Sequence, residues 1–343
     1  MNINQALDKV VQQIDLSQDE SASVFNSIMT GEATPAQIGA FLAAIRTKGE
    51  TSQELAGAAQ TMRNLSTKVS VDHPNLIDTC GTGGSGLKLF NISTAAAFVA
   101  AAAGAKVAKH GNRKMTSFAG SADLLEAAGV ELGLSPEQIA VCVQDVGVGF
   151  MFAQAHHSAM RFAGPVRQEI GIRTMMNVLG PMTNPANAKR QVIGVFDAQW
   201  MHKMANVLNI LGSEHALIVH SDGLDEIRLD QPTRVVELLN GELSEYEITP
   251  QQFGIDAANA DVLKSLTANS LEDSLALVKT ALTDADSPAA DIVCLNAGAA
   301  IYVSGIATNL SNGVSMAQDA VASGLAKERL DELARVSKMM VAS

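Results

Sequence analysis

Ile3, Leu7, Val10, Val11 and Ile14 recur at helical spacing, and this periodicity predicts an amphipathic helix at the start of the chain. Three more helix starts carry capping chemistry: Ser17 with Glu20, Thr34 with Pro35 and Gln37, and Thr51 with Glu54. In each, a hydroxyl at the cap and a Glu or Gln three residues on satisfy orphan amides at the helix end. Gly49 closes the third helix. No alternating pattern interrupts residues 3–66, so a small helical domain is predicted over 1–70.

From residue 76 the pattern changes. Leu76-Ile77 is a short apolar run, read as a buried strand end, and Val107-Ala108-Lys109-His110 follows after an Ala-rich stretch. Residues 121–128, stopped by Gly129, read as a helix, and Ser135-Pro136-Glu137-Gln138 opens another. Val148-Gly149-Phe150-Met151-Phe152 reads as a buried strand. Residues 157–170 read as helical with a bend at Gly164-Pro165, and 173–181 as a short helix ended by Gly-Pro. Runs 192–196 and 216–219 read as strands flanking a helix at 199–211. Val235-Val236-Glu237-Leu238-Leu239 reads as an edge strand turning at Asn240-Gly241, a strong hairpin signal. The rest is helical from Ser270, its N-cap, to Met340. Strands alternating with helices predict an α/β domain over 71–343, with a central, mostly parallel sheet.

The chain has 343 residues, 47% hydrophobic and 17% charged, enough for a large core and two domains. No apolar stretch is long enough to demand a membrane span. Met1-Asn2-Ile3-Asn4-Gln5 lacks the basic and apolar regions of a signal peptide. Three scattered cysteines, Cys80, Cys142 and Cys294, suit a reducing cytoplasm rather than a disulfide framework or zinc cluster. A net charge of −12 repels nucleic acid. Against that background Lys109, Arg113, Lys114, Arg161, Arg167 and Arg173 fall in one middle section. A local positive pocket there suits a small anionic ligand, although solvated surface charge accounts equally well for Lys114 and Arg161.

Candidate chemistry concentrates between residues 78 and 113. Asp78-Thr79-Cys80-Gly81-Thr82-Gly83-Gly84-Ser85-Gly86 follows the first strand, and Asn91-Ile92-Ser93-Thr94 opens the Ala-rich helix, with Ser93-Thr94 read as its hydroxyl cap. Strand, Gly-rich turn and helix N-terminus together make an anion site, because free amides and the helix dipole face the ligand. Gly81, Gly83 and Gly86 match the dinucleotide string G-x-G-x-x-G. The helix opens too late for it, however, and no acidic residue occurs between Asp78 and Asp123 to hold a ribose. Asp225-Glu226, after Ser221-Asp222-Gly223-Leu224, pairs two carboxylates at a strand-end loop. Such a pair is either a solvated acidic turn or a set of hard oxygen ligands for Mg²⁺.

Gly-Thr-Gly-Gly, Asn-x-Ser-Thr and Lys109-His110-Gly111-Asn112-Arg113, in this order, closely resemble the anthranilate phosphoribosyltransferases of tryptophan biosynthesis. The resemblance runs from Gly31-Glu32-Ala33-Thr34 to Leu295-Asn296-Ala297-Gly298. It implies a Mg²⁺-dependent transfer of the phosphoribosyl group of phosphoribosyl pyrophosphate to anthranilate, with release of pyrophosphate. It implies that Gly81, Thr82, Gly83, Gly84, Ser85, Asn91, Ser93, Thr94, Lys109 and Ser117 bind phosphoribosyl pyrophosphate. Arg167 would grip the anthranilate carboxylate in a pocket shared by Gly81, His110, Asn112 and His157, with His110 and Asn112 nearest the reacting amine. Ser93, Asp225 and Glu226 would hold the metal. His156, His202 and His215 are read as structural. The resemblance further implies a cytoplasmic homodimer joined through the helical domain, which residues 173–187 would complete, and no nucleic-acid or membrane partner.

The chain departs from the family's pattern at Ser85, where an aspartate is usual, at Thr116 and Phe118 around Ser117, and at Gln154 and Ser158, where prolines are usual. These positions bear on metal use and on the acceptor's entry path. Two other readings follow: a related transferase with a different aromatic acceptor, and a non-catalytic paralogue that binds nucleic acid. The intact Asp225-Glu226 and Arg167, with the net negative charge, count against the second.

Overall fold

The computed structural model describes residues 1–84, 86–113, 119–256 and 261–342. Four helices open the chain: Ile3–Val11, Gln18–Met29, Pro35–Lys48 and Ser52–Leu65. All three expected capping boxes form; in one, the Glu20 amide donates to Ser17 Oγ (3.2 Å) and the Ser17 amide to Glu20 Oε2 (3.0 Å). A cap of this kind is worth about 1 kcal/mol. Glu54 does more than cap. It is buried, accepts from the Leu16 amide at 2.9 Å and pairs with Lys48 Nζ at 3.0 Å, tying the loop before the second helix to the third and fourth helices. Leu7 packs against this core, whereas Val11 and Ile14 of the opening periodicity are 60% and 45% exposed.

Seven strands form one sheet: β1 (Leu76–Asp78), β2 (Lys106–Gly111), β3 (Val148–Phe152), β4 (Arg190–Gly194), β5 (His215–His220), β6 (Thr233–Leu239) and β7 (Glu242–Ile248). Their order is β3-β2-β1-β4-β5-β6-β7. β3 to β5 are all parallel, in a register that sets Ile77 beside Val107 and Val192 beside Leu217; β6 and β7 are antiparallel additions. The parallel strands are apolar on both faces because helices cover both. One core packs the Ala-rich helix Ile92–Ala102 and the helix Pro288–Ser304 on one face. The other joins the N-terminal helices, Met175 to Met182 and the helix Trp200–Ile210 to the opposite face.

Several local expectations are corrected. β6 is not the edge: β7 pairs along its whole length, from Thr233↔Ile248 to Leu239↔Glu242. β7 carries Glu242, Glu245 and Glu247, charges that blunt an exposed edge. The helix expected over 157–170 starts only at Met160 and runs to Ile170, and a separate short helix, Ala153–His156, precedes it, because His157 leaves helical geometry (φ −114°, ψ 57°). The short helix is only Met176–Leu179; Gly180-Pro181 ends it as expected, and the chain goes on as a 3-10 segment, Gly180–Thr183.

The strand order reverses between β1 and β4. In open α/β sheets such a switch point leaves a crevice beyond the carboxyl ends of the strands, and both the Gly-rich turn after β1 and Gly194 at the end of β4 lie there.

Candidate active site

Three segments hold the Gly-rich turn. The Thr82 amide donates to the Gly194 carbonyl (2.9 Å), and the Phe196 amide donates to Thr82 Oγ1 (3.2 Å). The Gly83 amide donates to Asp225 Oδ2 (2.9 Å). Arg173 donates to the Gly84 carbonyl (2.8 Å) while its guanidinium lies 4.2 Å from the Phe196 ring centroid. Glycine is required for two reasons. Gly83 and Gly84 have φ of +65° and +80°. A Cβ on Gly81 would sit 3.1 Å from Asp225 Oδ2 and 3.3 Å from the Gly194 carbonyl.

Beside this turn the helix Ile92–Ala102 begins. Its N-cap is Asn91, with no side-chain cap bond, which corrects the expectation that Ser93-Thr94 caps it. Asn91 is engaged elsewhere, donating to the Ala119 carbonyl (3.2 Å) and accepting from Ser274 Oγ (2.8 Å). Thr94 is buried in the first turn. The Ser93 hydroxyl instead faces Lys109 Nζ at 3.5 Å and hydrogen-bonds to Glu226. An uncapped helix end of this kind is suited to an anion.

Lys109 is buried and donates to the Thr79 carbonyl at 2.6 Å. Burial lowers its pKa. Glu226 is pushed up to about 8, first by burial and then by the neighbouring Asp225, against the pull of Lys109 and Ser93. Two carboxylates forced together in a crevice, with a serine hydroxyl alongside, are hard oxygen donors whose repulsion a divalent cation relieves. The donor set therefore fits Mg²⁺. Asn296 orients the loop by accepting from the Ile227 amide (2.9 Å) and donating to the Ile227 carbonyl (3.0 Å). Thr79, Gly81, Ser93, Gly194, Asp225, Glu226 and Asn296 line one crevice.

A second group lies at the end of β2. The rings of His110 and His157 are 5.1 Å apart. Burial holds them neutral, with pKa values near about 3 and about 4. Among the described residues both ring nitrogens of His110 and Nε2 of His157 are buried without a hydrogen bond of good geometry, the Gly180 backbone reaching His110 only loosely, so the pocket presents poorly satisfied polar groups. Asn112 Oδ1 accepts from the Arg113 amide (2.8 Å) and stands 3.5 Å from Gln154 Nε2, so one of the unusual residues touches this group. The guanidinium of Arg167, on the helix Met160–Ile170, makes no hydrogen bond or ion pair with any described residue, and burial lowers its pKa.

The structure thus brings Gly81 to Gly84, Ser93, Lys109, Asp225 and Glu226 together, and pairs His110 with His157. It shows no direct bond from Arg167 to either group. Ser85, Thr116, Ser117 and Phe118 lie outside the described residues. The expected cluster of basic residues is smaller than its spacing suggests: Arg113 turns away to pair with Asp123 (3.1 Å) and Glu126 (2.7 Å). His156, His202 and His215 bond to Thr67, Glu245 and Glu237 respectively, each at 2.8 Å, as structural histidines do. Sequence reasoning misses Gly194 and Asn296 and has Arg173 only as one of the basic cluster. For Gly194 the signal was present, because a glycine inside a strand marks close backbone approach: a Cβ there would lie 1.6 Å from the Asp225 carbonyl oxygen.

This helical bundle on a mixed sheet, with its crevice at the strand-order switch, is the architecture of a glycosyl transferase family. The family's helical bundle domain matches residues 4–66 and its a/b domain residues 73–327. An anthranilate phosphoribosyltransferase of Cellvibrio japonicus is 56% identical over 345 residues, covering 99% of this chain and 100% of the relative. One from Saccharophagus degradans is 54% identical, covering 99% and 100%. The crystal structure of anthranilate phosphoribosyltransferase from Thermus thermophilus superposes with a TM-score of 0.91 at 40% identity, covering 97% of this chain and 99% of that one. The chain belongs to the anthranilate phosphoribosyltransferase family and is an enzyme.

Proposed function

We propose that the enzyme joins anthranilate to the ribose of phosphoribosyl pyrophosphate, giving N-(5-phosphoribosyl)anthranilate and pyrophosphate, the second step from chorismate to tryptophan. The observation that carries this reading is the convergence of the Gly81 to Gly84 turn, an uncapped helix end and the Asp225–Glu226 pair on one crevice. The turn, Asn91, Ser93, Thr94 and Lys109 bind the phosphates, a role the family's pattern extends to Ser85 and Ser117. Ser93, Asp225 and Glu226 hold Mg²⁺, which when bound neutralises charge on the departing pyrophosphate. A yeast relative has been solved in complex with phosphoribosyl pyrophosphate and Mg, and another yeast structure holds 4-fluoroanthranilate.

In the reaction the ribose C1–oxygen bond to pyrophosphate breaks and the anthranilate nitrogen bonds to C1, shedding a proton to water. C1 becomes cation-like as the bond loosens. The open end of the helix Ile92–Ala102 and Lys109 meet the charge growing on the leaving oxygens. His110, held neutral with a pKa near about 3, is a weak base; an aromatic amine attacking a cationic carbon needs none, so His110, Asn112 and His157 position the acceptor and Arg167 takes its carboxylate. The helical domain spans 1–70, completed by 173–187, a division supported by the core that Met175 to Met182 share with the N-terminal helices. The exposed Val11 and Ile14 suit a homodimer contact through that domain, and the three free cysteines suit the cytoplasm.

The test is anthranilate fluorescence on adding phosphoribosyl pyrophosphate and Mg²⁺. A progressive loss is expected. Unchanged fluorescence with folded protein overturns the reading, and turnover only with another aromatic amine points to a changed acceptor.

A further inference from the structure

Cys80 takes no part in the chemistry above, yet it stands immediately before the phosphate turn. β1 and β2 pair in parallel, so the residues leaving one strand end lie beside those leaving the other. A carboxylate oxygen of Asp78, the Cys80 sulfur and a ring nitrogen of His110 all lie within 4.8 Å of one another. Among the described residues no other group of three His, Cys, Asp or Glu side chains is so arranged.

A second observation points to a ligand here. His110 is 4% exposed, and neither ring nitrogen makes a hydrogen bond of good geometry, the Gly180 backbone offering at most a loose one. The Cys80 sulfur has only a 3.7 Å contact with the next residue's carbonyl. Asp78 is anchored, accepting from the His110 amide (3.1 Å), from Asn184 Nδ2 (2.7 Å) and from the Thr79 backbone, which leaves one carboxylate lone pair for a ligand.

We propose that Asp78, Cys80 and His110 form a site for a thiophilic divalent cation of the Zn²⁺ class, distinct from the Asp225–Glu226 pair, and that filling it inhibits the enzyme. One sulfur, one nitrogen and one oxygen suit zinc, with water as the fourth ligand. Mg²⁺ prefers oxygen donors alone and so keeps to the other site. Zinc bond lengths place tetrahedral donors about 3.5 Å apart, so the three side chains must draw in by roughly an ångström. The Cys80 thiol gives its proton to water as the sulfur–metal bond forms, and nothing is oxidised or reduced. His110 is already neutral, as a ligand must be. Lys109 lies close enough to Asp78 and Cys80 to oppose the cation, and the carboxylate and thiolate charges offset the metal's own. Inhibition follows from position. The metal pulls on Cys80, the neighbour of Gly81, and takes His110 away from His157.

The experiment titrates Co²⁺, then Zn²⁺, into the full-length enzyme with Mg²⁺ in excess. A thiolate-to-cobalt charge-transfer band at one equivalent, abolished by Zn²⁺, is expected. Cys142 and Cys294 are buried elsewhere and serve as internal controls. Cys80→Ala, or Cys80→Ser where alanine lowers the melting temperature, removes the band. It also raises the Zn²⁺ concentration for half-inhibition by about tenfold or more, the usual scale for damage to a metal site. A wild-type protein without the band overturns the proposal, as does a band that survives in the variant or equal Zn²⁺ inhibition of both proteins. The spectrum decides the site even if anthranilate is not the acceptor.

Discussion

Arg167→Ala tests recognition and stability together, because the structure gives the two effects different sizes. The guanidinium sits on the helix Met160–Ile170, and burial lowers its pKa; it has no carboxylate partner among the described residues. A cation drawn out of water without a counter-charge destabilises the fold it sits in. Alanine removes that cost and also removes the packing of the aliphatic stem. The two offset, so the ligand-free protein should lose no more than about 1 kcal/mol. Anthranilate binding should fare much worse. Losing a desolvated charge-assisted contact costs about 2–5 kcal/mol, much of it from the carboxylate left unpaired. At 1.4 kcal/mol per decade that is roughly a 30- to 4,000-fold weaker Kd.

Arg167→Lys should recover only part, since an ammonium cannot reproduce the bidentate fork. Arg167→Met restores the stem without the charge and should bind anthranilate no better than alanine does. Separate calorimetric titrations of the two substrates, with urea unfolding of each ligand-free variant, make the measurement. Loss of phosphoribosyl pyrophosphate binding with anthranilate affinity retained refutes the assignment of the pockets. A stability loss of about 3 kcal/mol or more, the scale of a broken buried pair, shows that Arg167 is a structural residue instead.

Asp225→Asn with Glu226→Gln should abolish Mg²⁺-dependent turnover while the ligand-free melting temperature holds or rises, because two crowded carboxylates are neutralised; full activity at ordinary Mg²⁺ contradicts the metal assignment. Gly194→Ala places a Cβ 1.6 Å from the Asp225 carbonyl oxygen, so the carboxylate loop must shift and kcat/KM should fall at least about tenfold, the effect of a roughly 1.4 kcal/mol loss in the transition state; wild-type kinetics would show that the loop is free to move. Glu237 accepts from His215, Tyr302 and Tyr246 at 2.8, 2.8 and 2.9 Å. Burial raises its pKa, and these three bonds outweigh burial, so the net shift is downward. A lowered carboxyl pKa gives stability that is present above the unfolded value of about 4.3 and lost as pH falls through the folded one. The advantage of wild type over Glu237→Gln, about 2 kcal/mol by the scale of charged hydrogen bonds, should therefore hold at pH 5 and shrink by pH 3 in urea titrations. A gap that does not change with pH refutes it.

Local physics was legible in the chain. Ser17, Thr34 and Thr51 cap because a hydroxyl and a Glu or Gln three residues on need nothing from the rest of the fold. The Gly-rich turn was legible for the same reason, since positive φ is a local demand. What failed depended on partners distant in sequence. β6 has the apolar run of a half-covered strand, and only the pairing of Glu242–Ile248 shows which strand is outermost. Arg113 belongs by sequence to the basic cluster, but the helix Ser121–Ala127 brings Asp123 and Glu126 within reach and removes it. Ser93 is an ordinary cap by type. In the folded chain its hydroxyl faces Lys109 and Glu226, which arrive from 16 and 133 residues away, and the helix end is left open.

That open end also explains how a chain of net charge −12 can receive a polyanion. Among the described residues the cations contributing at the turn are Lys109 behind it and Arg173 on its outer carbonyl. The rest of the attraction comes from the open end of the helix Ile92–Ala102, whose partial charge is fixed by backbone geometry and is independent of net charge, since the Thr82 and Gly83 amides are already engaged by Gly194 and Asp225. Such dipoles help only if they are already aligned when the ligand arrives, since reorienting them would consume the binding energy. The helix keeps its own amides aligned, and the turn beside it is held in place as well. Thr82 is locked to Gly194 and Phe196, Gly83 to Asp225, and Gly84 to Arg173, so β4, the carboxylate loop after β5 and the segment after the helix Met160–Ile170 each hold one residue of the turn. A mutation in any of these three segments should therefore weaken phosphate binding without touching the phosphate.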